Sequence, residues 1–160
     1  MTIRKFLRYY ISFIIFSIVI GILIGLLITS DTVILSKPER GWDFTLEVLK
    51  NNSNNFLSYI FLFFLSPALQ LIDLVSVVIQ ITLGMRKSGF LITALGLFPH
   101  GLLEIPNFLF YQGLSQYMLW TVLTEKSVIS FLERERRYVR YYVVSYCVLL
   151  IAGIIEGLLG

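Results

Sequence analysis

Apolar residues fall in long unbroken blocks, and the charged positions gather between them. Tyr9 to Thr29 is a run of 21 residues without a charge. At about 1.5 Å per residue it crosses a hydrocarbon core of roughly 30 Å as one helix. No small-residue cleavage pattern closes it at Ile28-Thr29-Ser30-Asp31, so it is expected to persist as a mature anchor. Phe56 to Gly84 is a second apolar stretch of 29 residues, interrupted by Pro67 and Asp73. One tilted, kinked helix and two short helices both fit it. Phe90 to Leu123 is apolar again but broken by Pro99-His100-Gly101, Pro106 and Gly113, and Tyr141 to Leu159 forms the last span. The pattern predicts an all-α polytopic transmembrane bundle of about five spans, with short or broken helices near Pro67 and near Pro99 to Gly101.

Charge placement sets the expected topology. Arg4, Lys5 and Arg8 precede the first span, which puts the amino terminus in the cytoplasm and residues 30–55 outside. Within that external loop Trp42, Phe44, Leu46, Val48 and Leu49 suggest a short helix lying on the membrane surface, with Trp42 at headgroup level and the Asn51 to Asn55 cluster ending it. Asn51-Asn52-Ser53 also fits a glycosylation triplet, a pattern of little weight in an Asn-rich run. Arg86 and Lys87 read as a cytoplasmic stop, so the stretch after them goes in and returns. Residues 125–140, with Glu133-Arg134-Glu135-Arg136-Arg137, read as a cytoplasmic basic linker meeting anionic membrane lipids. The carboxyl terminus is then external, and the whole chain, 1–160, reads as a single membrane domain.

Composition agrees with the pattern. Of 160 residues, 57% are hydrophobic and 15% aromatic, and the mean hydropathy of +0.82 leaves too little polar surface to cover a soluble globule. The net charge of +3 is unevenly placed and forms no basic groove for nucleic acid. A single cysteine, Cys147, excludes an internal disulfide.

Four ionisable residues fall at membrane depth: Asp73, His100, Glu104 and Glu156. A charge there costs roughly 2.5 to 3.5 kcal/mol unless the fold pairs it or opens a cavity. On a helix starting near His100, Glu104 lies one turn on, so the two share a face and can hydrogen-bond. One reading is a proton-responsive or partner-binding site. The other is a packing lock at the helix break of Pro99, Gly101 and Pro106, with a further break at Pro67. Asp73 is read either as a helix break at the cytoplasmic interface or as functional, and Glu156 as reaching water near the end of the last span. The aromatic runs 61–64 and 138–146 read as interfacial belts. Ser-His-Asp order, paired cysteines, metal-protease spacing and phosphate-binding glycine loops are all missing, so neither an enzyme nor a cofactor or metal is expected.

Pro99-His100-Gly101-Leu102-Leu103-Glu104 resembles the Pro-His-Gly-x-x-Glu signature of the stage II sporulation protein M family of membrane proteins. Phe44 through Asn52 resembles the external helix ending in Asn that precedes that family's second span, and Ala152 to Glu156 resembles the Glu near one end of its last span. The resemblance covers roughly residues 44–160. An Asn-Gly pair of the family's middle span has no counterpart in Ile79 to Gly84, and Ser66-Pro67 occupies a zone usually rich in glycine. The resemblance implies a five-span protein that holds peptidoglycan-degrading partners at a septal membrane; related members are linked to bacteriocin production and immunity, or to export with an ATP-binding subunit.

The resulting expectation is a non-enzymatic scaffold in a bacterial plasma membrane. Trp42 and Asn52 of the external segment, or the intramembrane polar pair, would recruit membrane or cell-wall-processing proteins. The alternatives are a membrane subunit of an ATP-binding-cassette exporter or bacteriocin immunity system, and a proton-coupled channel or carrier, which at this length needs a homo-oligomer.

Overall fold

A computed structural model describes residues 3–29, 41–98, 100–124 and 128–159; the side chains at 100, 128–135, 137 and 159 lie outside that description. All regular structure described is helical: α1 (Ile3–Leu27), α2 (Trp42–Phe61), a 3-10 turn at Phe63–Leu65, α3 (Ser66–Ser88), α4 (Phe90–Leu97), α5 (His100–Thr124) and α6 (Val128–Leu159). Three segments are long and apolar enough to cross a membrane, Ile3–Leu27, Phe63–Ser88 and Tyr138–Leu158. Helices α2 and α5 have the length, 20 and 25 residues, but a more polar sequence. The contacts gather into two units, Met1–Pro38 with Ala68–Phe98, and Glu39–Pro67 with Pro99–Gly160.

In the first unit α1 and α3 pack through small residues. Ser17, Gly21 and Gly25 are buried along one face of α1 at four-residue spacing. A Cβ on Gly21 would stand 2.7 Å from Cβ of Val78, and one on Gly25 2.8 Å from Cβ of Thr82, so only glycine permits the approach. Gln70 Nε2 donates to the Tyr10 hydroxyl at 3.0 Å. At the far end Arg86 Nη1 donates to the carbonyls of Gly25 (2.8 Å), Leu26 (3.2 Å) and Ile28 (2.6 Å), capping α1 where its last carbonyls lack intrahelical donors. Residue numbers rise together along the pair, 10 with 70, 21 with 78, 25 with 82 and 28 with 86, so the helices run parallel. Their ends lie on one side. The pairing does not fit an external end of α1 combined with a cytoplasmic Arg86: the guanidinium caps α1, a use that counting basic residues cannot detect. Helix α4 then folds back on α3 at Gly89 (φ 85°), with Thr93 against Gly84.

In the second unit α2 lies lengthwise and antiparallel against α6. Gly41 N–H donates to the Gly157 carbonyl at 3.1 Å, and a Cβ on Gly157 would fall 2.6 Å from Cα of Thr45. Further along, Leu49 meets Gly153, Ser53 meets Tyr146 and Phe56 meets Tyr142. Gly41 starts α2 at φ 121°, a conformation that favours glycine. The short surface helix ending at the Asn cluster is therefore not observed: α2 runs through Asn51 to Asn55 and reaches Phe61 alongside a spanning helix. Its asparagines continue the helix because two of them find partners on α5.

The stretch 56–84 resolves into the end of α2, the 3-10 turn and α3. Pro67 sits in the first turn of α3, where a missing N–H removes no helical bond. The expected break at Pro99 also takes form, since α4 ends at Leu97 and Phe98 is extended (φ −91°, ψ 137°), as a residue before proline must be. Pro99 itself lies outside the described residues. Pro106 is no break: α5 continues through it and forgoes one hydrogen bond, to the Leu102 carbonyl. Residues 128–140 are the first turns of α6, continuous with the last span; 30–40 and 125–127 fall outside the description.

Candidate functional site

Polar side chains recur on the facing sides of α2, α5 and α6 at helical spacing, and in the second unit they meet as a ladder. The outermost rung joins Asn52 of α2 to Glu104 of α5, with Nδ2 donating to Oε1 at 3.0 Å. Beside it Ser53 and Tyr146 share a hydroxyl contact of 3.1 Å. Asn107 and Ser145 exchange two bonds: Asn107 Nδ2 donates to the Ser145 carbonyl at 2.9 Å, and Ser145 Oγ donates to Asn107 Oδ1 at 2.6 Å. Next along α2, Tyr111 O–H donates to Asn55 Oδ1 at 2.7 Å, and Gln112 Nε2 donates to the Tyr59 hydroxyl at 2.8 Å. Ser115 and Tyr142 follow at 3.0 Å, with Tyr142 O–H also directed at the Met118 sulfur.

Aromatic rings pack around the middle of the ladder. Phe56, 3% exposed, has ring centroids of Tyr111, Tyr146 and Tyr142 at 5.0, 5.3 and 6.0 Å, and Tyr59 stands edge-on to Tyr111 at 5.5 Å. Where the rungs are buried, at Tyr59–Gln112 and Ser115–Tyr142, a matched donor and acceptor cost little, whereas an unmatched one costs about 1 to 3 kcal/mol. Gln112 Oε1 and Ser66 Oγ, both buried in this unit, have no hydrogen-bond partner among the described residues.

The residues singled out in the sequence are placed as follows. Glu104 is half-buried and its described partner is Asn52; His100 heads the same helix one turn earlier. Asn52, expected at a partner-binding surface, is half-buried in the ladder, while Trp42 is 67% exposed at the start of α2. Gly101 is buried. Glu156 is half-buried on α6 beside the Gly157 contact, and Asp73 is half-buried on α3 in the other unit. Among the described residues no group of three or more His, Cys, Asp and Glu side chains is arranged to hold a metal ion.

Most of the ladder escaped the sequence reading: Asn55, Tyr59, Asn107, Tyr111, Gln112, Ser115, Tyr142, Ser145 and Tyr146. The signal was periodicity, since 52, 55 and 59 on α2, 104, 107, 111 and 115 on α5, and 142, 145 and 146 on α6 each mark one helical face.

A family model described as stage II sporulation protein M matches residues 12–159, nearly the whole length. No curated protein and no solved structure matches the chain. The match takes in α1 from residue 12 onward, the Phe63–Ser88 and Tyr138–Leu158 segments, the ladder and the Pro99 to Glu104 string, and the chain belongs to the stage II sporulation protein M family.

Proposed function

We propose that this membrane protein is a non-enzymatic scaffold of a bacterial plasma membrane, holding a fixed helix arrangement against which membrane or cell-wall-processing partners assemble. The supporting observation is the ladder. Its polar side chains pair with one another, Asn52 with Glu104, Asn107 with Ser145 and Tyr59 with Gln112, and so set the register of three helices. Position is what such groups provide. Three basic residues in the first turns of α1, ahead of its apolar run, favour an inward amino terminus, and the parallel packing of α1 and α3 then carries Arg86 and Lys87 to the outer side.

The reading is tested at Glu104. Glu104→Gln preserves shape and accepts the Asn52 amide, so folding and partner recruitment persist, whereas Glu104→Leu strands Asn52 and impairs both. Normal folding and recruitment by Glu104→Gln together with loss of a pH-dependent flux in liposomes would make the site proton-handling and overturn the scaffold.

A further inference from the structure

The face of α2 turned away from α5 and α6 carries a second pattern. Asp43, Glu47, Lys50, Asn54, Leu57 and Phe61 recur at alternating intervals of four and three residues, the spacing of a coiled-coil seam, and all six are exposed. Thr45, Val48, Phe56 and Tyr59 form the buried opposite face. Among the described residues the side chains of Asp43, Glu47, Lys50 and Asn54 have no hydrogen-bond or ion-pair partner. Because α2 runs beside the Tyr138–Leu158 span from Gly157 to Tyr142, the seam lies at membrane depth, with Lys50 about 12 Å and Asn54 about 18 Å along the axis from Trp42. Lipid tails satisfy neither a carboxamide nor a charge.

We infer that this seam is the docking surface for one transmembrane helix of a partner protein, an inference that rests on the scaffold reading and specifies its partner. Layer by layer, the occupant carries a cation facing Asp43 and Glu47, a carboxylate facing Lys50, a carboxamide or hydroxyl facing Asn54, and apolar side chains against Leu57 and Phe61. A second copy of this chain is the wrong occupant. Two copies related by an axis along the membrane normal bring Asp43, Glu47 and Lys50 each against its own like charge in three successive layers, which complementary interfaces avoid.

The probe is a synthetic Leu/Ala helix of about 22 residues, span length, bearing Lys, Glu and Asn at the matching levels, beside a version with its charges reversed. Energy transfer is read from the full chain labelled at its exposed Cys147, in phosphatidylethanolamine–phosphatidylglycerol vesicles. The matched peptide should bind at least about tenfold more tightly than the reversed one. The Glu47→Lys/Lys50→Glu exchange should invert that preference, and the milder Glu47→Gln, which keeps the helix intact should the exchange not fold, should narrow it. Equal binding of the two peptides overturns the proposal. So does self-association of the chain, which would show a different occupant. Peptide selectivity with undisturbed partner localisation in cells carrying Glu47→Lys/Lys50→Glu would refute the scaffold and leave the seam standing; lost localisation without selectivity would do the reverse.

Discussion

Replacing Asn52 with Leu removes the donor that meets Glu104 and leaves a half-buried carboxylate with one partner fewer. A hydrogen bond between neutral side chains of neighbouring membrane helices is worth about 0.6 kcal/mol. A charged acceptor roughly doubles that. The 3.0 Å contact between Asn52 Nδ2 and Glu104 Oε1 should therefore contribute about 1 to 1.5 kcal/mol, within the reach of a double-mutant cycle. Asn52→Leu and Glu104→Leu should each destabilise, and the double Leu variant should lose less than their sum by about that coupling, because replacing both partners leaves nothing unsatisfied between them. The assay is unfolding of the purified protein from mild-detergent micelles by added dodecyl sulfate, followed by far-ultraviolet circular dichroism. Coupling below about 0.5 kcal/mol, the usual error of additivity, would refute the reasoning and demote the rung to an incidental contact.

The parallel packing of α1 and α3 predicts that Thr29→Cys and Lys87→Cys, each in a Cys147→Ser background, react alike with an impermeant maleimide in intact cells; labelling of one with protection of the other contradicts the Arg86 cap. Gly157→Leu would drive a side chain into the Thr45 backbone and should cost at least about 1 to 3 kcal/mol. Gly96→Ala, with nothing within 4 Å and a place in the last turn of α4, should be neutral or gain less than about 1 kcal/mol. The same dodecyl sulfate titration separates them, and equal stability of the two variants would remove the case for close α2 and α6 packing.

The sequence was legible where one residue's neighbours decide its conformation. Helix α1 follows from an uncharged run, and the break before Pro99 follows from the bar that proline sets on Phe98. Contacts between distant residues hid the rest. Asn52 reads as a helix terminator until its partner 52 residues on is known, and Arg86 reads as a topogenic charge until it is seen on carbonyls some 60 residues earlier. Hydropathy undervalued α2 in part for the same reason: Asn52, Ser53, Asn55 and Tyr59 face paired groups on α5 and α6, which an average along one helix cannot register. Pro106 was read as punctuation, yet its ring forgoes only one bond near the start of a 25-residue helix.

The central claim is that polar α2 lies at the depth of the last span, and one measurement bears on it most directly. Ser53 meets Tyr146, so Asn54 and the native Cys147 stand at nearly the same level on antiparallel helices. Spin labels at Cys147, and at Asn54→Cys in a Cys147→Ser background, are compared in vesicles by power saturation with oxygen and with a polar nickel chelate. Depths agreeing to within a helical turn, about 5 Å, are predicted. A label at 54 held at headgroup level, while the one at 147 sits in the hydrocarbon core, would contradict the account.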